Sequence, residues 1–212
     1  YDLFNAARAP SIEQSHRVID QRFLHVRGLE PQRTLMFGPY WYCALFQFDL
    51  LNVPDDPNLI LLFHFYMPTM LTHYGIQRSI TSAGYNGPVH YPGDPVAPKD
   101  VHLIPEQVKR YAVHWNEPVT PEKIAAHLAI ARGKARPQGH RLYCSEFGCS
   151  RFAPVPLRLA WLRDVIGLFC ANDVPWCIWD YRGNFGLLTP DNQPTDALPP
   201  VLEFVARSSC RS

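Results

Sequence analysis

From Leu59 to Met67 the chain reads "LILLFHFYM", apolar throughout except for His64 and the hydroxyl of Tyr66. A run of this kind fits a parallel strand that is covered on both faces. Shorter apolar runs alternate with stretches of helical period on either side of it. "YDLF" at the start reads as a strand. Ser11 then opens a helix through the capping-box pattern "SIEQ", with Ile19, Phe23 and Val26 on one face. "TLMF" predicts a strand, "YCALFQFDLL" a short helix, and "LILLFHF" the next strand. Thr120 and Pro121 form an N-cap and first-turn proline for a helix leading into the strand "RLYCS". "PLRLAWLRDVIGLFCAN" is an amphipathic helix with Leu159, Leu162, Val165 and Ile166 on its apolar face. "WCIWDY" predicts the last strand and "ALPPVLEFVA" the last helix.

The order is β-α repeated about five times, which implies a parallel α/β sheet with helices outside it. An open doubly wound sheet and a (β/α)8 barrel both meet that description. The doubly wound form wants a glycine-rich turn after its first strand, and "YDLFNAARAP" has none. Polar and aromatic residues collect instead at the predicted C-terminal strand ends: Asn5, Trp41, His64, Tyr66, Glu146 and Trp179. A TIM barrel builds its active site at that face, so the pattern favours the barrel, within one domain over residues 1–212. Between Met67 and Leu103 the chain is rich in Pro, Gly and His and has little periodicity. A structureless stretch that long usually lines a functional site.

Composition narrows the possible partners. The 212 residues carry a formal charge of +1 and no Lys/Arg run, which argues against nucleic acid. The longest apolar run is too short to span a bilayer. The 21 prolines, roughly double the usual share, cluster between the periodic segments and imply stiff loops. No initiator methionine or leader precedes Tyr1, so the chain is expected to be processed or cut from something longer. The six cysteines, Cys43, Cys144, Cys149, Cys170, Cys177 and Cys210, form no CxxC pair and have no metal-ligand spacing. Cys144 and Cys177 fall inside predicted strands and read as free core thiols. No cofactor is indicated.

The chemistry centres on "RLYCSEFGCS", where a strand ends in Glu146. A carboxylate there can cap the next segment or do chemistry. His64 can be a satisfied core histidine, but it lies at a strand end with Tyr66 two residues on, on the same face. Trp179 and Trp41 can be core or site, while His73 and His90 on the long loop read as surface residues. Asp180 should point away from Trp179 and be structural.

Taken together, "FHFYMP", "CSEFG" and "WCIWDYRGNFGL" follow one another as they do in the cellulase-type enzymes of glycoside hydrolase family 5. "EPQRTLMFGPYWY", "PDDPNLI" and "THYG" resemble connecting segments of its bacterial members. The resemblance implies a (β/α)8 barrel that cleaves β-linked glucans or mannans with retention of configuration. It implies Glu146 as nucleophile on the seventh strand, with His64 and Tyr66 as the His-x-Tyr of the sixth strand. In that pattern the tyrosine hydrogen-bonds the nucleophile. Trp179 matches the stacking tryptophan after the eighth strand, and Asn5 the asparagine of the fourth-strand Asn-Glu pair, which contacts the sugar 2-hydroxyl. Trp41 keeps the pattern only in part. The resemblance further implies a β-glucan or related oligosaccharide as partner, no metal, and a secreted or periplasmic protein.

Two departures stand out. The acid/base glutamate that follows the asparagine is replaced by Ala6. "WNEP" at Trp115–Pro118 offers Glu117 as a substitute, but it follows no apolar strand and precedes a helix N-terminus, where an acid favours the dipole. The second departure is length: if Asn5 ends the fourth strand, only about five of the eight β/α units are present. A second copy or a separate N-terminal barrel portion would have to close the barrel. Three readings follow: a retaining endo-β-1,4-glucanase-like hydrolase impaired at its acid position, a carbohydrate-binding pseudoenzyme, or a half-barrel fragment or subunit without turnover of its own.

Overall fold

The computed structural model describes residues 1–6, 9–114 and 116–209. Trp115 and Cys210 lie outside them. Backbone contacts divide the chain into two compact units: Tyr1–Phe65, Ala125–Glu146 and Val174–Cys177 form the first, and Tyr66–Ile124, Phe147–Asp173 and the chain from Ile178 onward form the second.

The first unit opens on helix α1 (Ile12–Leu29). Its start follows the sequence pattern, because the Ser11 hydroxyl accepts the Gln14 N–H at 3.2 Å. Ile19 and Phe23 are buried. At its far end Arg27 forms a two-pronged pair with Asp56, at 2.7 and 3.1 Å. Strands β1 (Leu35–Phe37), β2 (Leu59–Phe65), β3 (Arg141–Phe147) and β4 (Trp176–Ile178) form one sheet in the order β1-β2-β3-β4. β1 and β2 are parallel, with Leu35 opposite Leu59 and Phe37 opposite Leu61. Every residue of β2 except Ile60 is buried, as its apolar run predicts. Ile60, Leu62 and His64 alternate with Leu59, Leu61, Phe63 and Phe65, so the histidine shares a face with the first set.

Three expectations for this unit need correction. The predicted strand "YDLF" is only a bridge one residue wide, with Asp2 beside Met36, and carries backbone bonds from Leu3 N–H to Met36 and from Met36 N–H to Tyr1. Asp2 takes the Phe4 N–H onto its own carboxylate at 3.1 Å, which draws the backbone out of the ladder. The predicted short helix over "YCALFQFDLL" is a tight turn, α2 (Tyr40–Cys43), followed by a 3-10 helix at Leu45–Leu50. Within the turn Trp41, Tyr42 and Cys43 are left-handed, with φ of 63°, 59° and 55°. Just before it, a Cβ at Gly38 would stand 2.5 Å from the Leu62 carbonyl oxygen, so only glycine fits beside β2. Cys144 is buried and free, whereas Cys177 is exposed because β4 is the edge strand.

The second unit is mostly helix and loop. It contains α3 (Thr69–Thr72), α4 (Glu106–His114), α6 (Val155–Ala171) and α7 (Leu198–Ser209), and α5 (Pro121–Ala135) begins in it and ends in the first unit. The sequence reading did not anticipate α4. The Pro/Gly/His-rich stretch is held by side chain-to-backbone bonds in place of ladders. Ser82 donates to the His73 carbonyl at 2.7 Å, and the Asn116 amide pairs with both backbone groups of Val96, at 2.9 and 2.8 Å. α6 buries Trp161, Leu162, Val165, Ile166 and Phe169, and packs against α7. Among the described residues no helix is long and apolar enough to cross a membrane.

Candidate active site

In the first unit, four segments end close together. β3 presents Glu146 and β2 presents His64, with 3.6 Å between the His64 Nδ1 and the Glu146 Oε2. That is longer than a hydrogen bond. The histidine side chain is 5% exposed and the carboxylate 17%, so the acid sits at the solvent boundary. Burial pulls the His64 pKa down, while the charges of Glu146 and Asp2 pull it partly back. The ring therefore stays neutral at pH 7, and Glu146 faces a dipole where a cation would otherwise stand.

Ala44, next to the left-handed turn, pairs with His64 as an isolated parallel bridge. This sets the buried Cys43 thiol 3.8 Å from the Phe4 carbonyl, with the Ala6 backbone N–H directed at its sulfur. Burial raises the Cys43 pKa to about 12, and Asp2 and Glu146 add to the rise. It is a neutral thiol at any physiological pH. Ala6 is half-buried with φ +51°, and Asn5 beside it is exposed. Trp41 is half-buried, edge-on to Tyr40 and Tyr42. Thus Asn5, Ala6, Trp41, His64 and Glu146 belong to one unit, and the Glu146–His64 approach is its central contact. A depression of about 710 Å³ lined by Tyr1, Glu30–Arg33 and Thr34 lies at the opposite, N-terminal end of β1 and holds none of these groups.

The second unit holds Tyr66 and Trp179. The Thr72 hydroxyl donates to the Tyr66 carbonyl at 2.6 Å, and the Trp161 indole donates to Met67 at 2.8 Å. The Tyr66 ring meets His73 at 5.2 Å and Phe185 at 5.7 Å, both edge-on, and His73 meets Phe185 at 5.2 Å. His73 is therefore half-buried in an aromatic trio, contrary to its reading as a surface residue. Desolvation lowers its pKa to about 4. His90 is exposed, as read. Phe185 is fixed in turn by Arg158, which is wholly buried and donates to the carbonyls of Cys149, Phe185 and Gly186 and to Asp196.

Trp179 is 47% exposed and anchored by its own N–H to the Phe147 carbonyl at 2.7 Å. It lies just past β4, which ends at Ile178, and is joined to Asp180 by a cis peptide. A Cβ at Gly148 would collide with the Trp179 carbonyl oxygen, which explains the glycine of "EFG". Asp180 is structural, accepting the Gly183 N–H at 2.6 Å. Glu117 is exposed and paired with Lys123 at 2.6 Å.

The sequence reading missed Cys43, Phe185 and Arg158. Only Arg158 left a signal, since it falls on the apolar stripe of α6, one turn before Leu162.

No protein-family model matches the chain. Endoglucanase C of Acetivibrio thermocellus is 26% identical over 201 residues, covering 92% of this chain and 57% of that protein. Endoglucanase 3 of Fibrobacter succinogenes is 24% identical over 172 residues, covering 77% of this chain and 26% of that one. Among solved structures, cellulose synthase subunit Z of Clostridioides difficile superposes with a TM-score of 0.72 at 18% identity, covering 95% of this chain and 60% of its own. An endoglucanase of Thermotoga maritima solved with cellobiose gives 0.71 at 17%, covering 93% and 57%. The fold is thus the α/β fold of the TIM-barrel glycoside hydrolases, present in part. The chain spans little more than half the length of the relatives it matches most fully, 57% of Endoglucanase C.

Proposed function

From a chain that resembles the cellulase-type enzymes of glycoside hydrolase family 5 along most of its length, we infer a retaining hydrolase of β-linked glucans, of the endo-β-1,4-glucanase kind. The observation that carries this reading is the Glu146 carboxylate beside a buried, neutral His64 at neighbouring strand ends. Retaining cleavage needs a carboxylate that attacks the anomeric carbon and a second carboxyl group that protonates the departing oxygen. Glu146 takes the first role. The neighbouring imidazole is neutral and sets no cation against it. The second role belongs to residue 6, where Ala6 has nothing to donate, so polymeric glucan with its alkoxide leaving groups reacts slowly. By the same resemblance Tyr66 supports the nucleophile, and Asn5, Trp41 and Trp179 contact the sugar. Four strands do not close a barrel, so the remaining β/α units come from further N-terminal sequence or a second copy. Secretion or a periplasmic site follows from the same resemblance.

The test is covalent. A dinitrophenyl cellobioside fluorinated at the sugar's second carbon should add one fluorocellobiosyl group to the intact mass, and peptide mapping should place it on Glu146. The Glu146→Gln protein should stay unlabelled, because an amide does not form the ester. Cello-oligosaccharide binding with no label on the unsubstituted protein would overturn the hydrolase reading in favour of a carbohydrate-binding pseudoenzyme.

A further inference from the structure

Two carboxylates from different elements of the first unit act on His64. Glu146 stands on β3, 3.6 Å from the ring Nδ1. Asp2 stands on the opening segment, and the strand registers put it on the same face of the sheet. It pairs with Met36, Met36 pairs with Ile60, and Ile60 shares its side of β2 with His64. A chain of contacts also joins the two residues. An Asp2 oxygen accepts the Phe4 N–H at 3.1 Å, and the Phe4 carbonyl lies 3.8 Å from the Cys43 sulfur. Ala44, next along, bridges to His64. The Asp2 carboxylate is thereby held in one orientation, although the residue is exposed. Among the described residues, the charges that act on the ring are those of Glu146, the stronger, and Asp2. Both favour its protonation, and burial opposes it. The Cys43 thiol in the same cluster is neutral, its pKa pushed up to about 12.

We propose that Asp2 is a positioning residue for Glu146 and acts through His64: its charge sets the acidity at which the ring becomes a cation and draws the nucleophile into an ion pair. The inference rests on Glu146 being the nucleophile. A neutral ring sets no cation against that carboxylate. Once it takes a proton from solvent, it carries a full charge 3.6 Å away. The attack neutralises the carboxylate as the ester forms, so a cation that stabilises the free anion slows it. Burial holds the ring pKa below its ordinary 6.5, which places this capture on the acid side of that value. Asp2 works against burial and brings the capture to a higher pH than Glu146 alone would. Removing the Asp2 charge should therefore move the acid limit of the reaction downward. Asp2 is exposed, so salt should screen its influence. Glu146 lies closer to the ring and is mostly buried, so its influence should be screened less.

The experiment follows the histidine ring carbons by NMR through a pH titration, with the His64 signal identified by its absence from His64→Asn. Asp2→Asn keeps an oxygen for the Phe4 N–H and loses the charge. Its His64 should titrate at lower pH than in the parent, and about 1 M salt, where the Debye length is about 3 Å, should bring the two curves together. Glu146→Gln removes the stronger charge and should lower the titration further. Asp2→Glu keeps the charge and should titrate close to the parent. The parent and the two Asp2 variants are then labelled with the fluorinated donor across the same pH range. The acid limb of labelling should move with His64, so that below the parent limb Asp2→Asn labels about two-fold faster at low salt. An unmoved His64 titration in Asp2→Asn overturns the inference. So does a shift that salt leaves unchanged or that Asp2→Glu shares, because either traces to the Phe4 contact and not to charge. Labelling of Glu146 with the same acid limb in the parent and Asp2→Asn overturns the inference and leaves the nucleophile in place. Absence of labelling in the parent removes the nucleophile and the inference together.

Discussion

The strand ends around Glu146 and the aromatic trio around Tyr66 hold their polar groups in opposite ways. At Glu146 the His64 ring stands 3.6 Å away, and the neighbouring Cys43 thiol stands 3.8 Å from the Phe4 carbonyl. The carboxylate lies at the edge of solvent. Around Tyr66 every position is fixed by something buried, from the Thr72 and Trp161 donors on the backbone to Phe185 and the fully enclosed Arg158 behind it. Around Tyr66 each part supports the next, so a substitution there reaches its neighbours within the second unit.

Four measurements test that contrast. Glu146→Gln should have the largest effect, reducing turnover of an aryl cellobioside by roughly 10⁴-fold or more. Its unfolding free energy should stay within about 1 kcal/mol of the parent. A large loss of stability in that variant would erase the contrast from the first side. Arg158→Met tests the second side. It removes the donor to the Cys149 and Phe185 carbonyls and the partner of the half-buried Asp196, and should cost about 3–5 kcal/mol in chemical denaturation. A midpoint unchanged by this substitution would show that the frame does not depend on its buried cation.

His73 gives a pH test. Its folded pKa is about 4, below the 6.5 of an exposed histidine, so between those values the unfolded chain binds the extra proton. The stability tied to a neutral His73 is complete above pH 6.5 and is lost as the pH falls toward 4. His73→Phe keeps the ring contacts and removes the proton. The stability difference between pH 7 and pH 4.5 should then shrink by up to about 2 kcal/mol, and an unchanged difference would place the acid sensitivity elsewhere. Ala6→Gly should have the smallest effect, stabilising by about 0.5–1 kcal/mol because glycine adopts φ +51° without strain. A destabilised glycine variant would mean that the Ala6 methyl makes contacts worth more than the backbone strain.

Legibility in the sequence followed the range of the interactions. β2 could be read because seven successive residues are apolar or nearly so, and the start of α1 because a serine hydroxyl and the N–H it captures lie three positions apart. The opening "YDLF" has strand composition, yet Asp2 competes for the backbone two residues on and reduces the strand to a bridge. The left-handed run at Trp41–Cys43 contains no glycine and no asparagine, so nothing local announced it. In the candidate site, Glu146 and His64 were legible as polar residues at the ends of apolar strands. Cys43 and Phe185 were not, because their positions depend on partners far away in sequence.

The sheet order also bears on how the molecule assembles in time. β1 and β2 are neighbours in sequence, so their pairing closes a short loop. β2 and β3 are separated by residues 66–140, most of which fold into the second unit. Loop-closure entropy grows as about (3/2)RT ln n, and contacts across so long a stretch are slow to form. Glu146 is therefore expected to reach His64 late, after β1 and β2 have paired. Pulse-labelled hydrogen exchange during refolding should protect the Leu35 amide, which bonds Asn58 ahead of β2, before the Cys144 amide, which bonds Pro175 ahead of β4. The reverse order would mean that β3 and β4 nucleate the sheet, and that the reactive strand ends are among the first contacts to form.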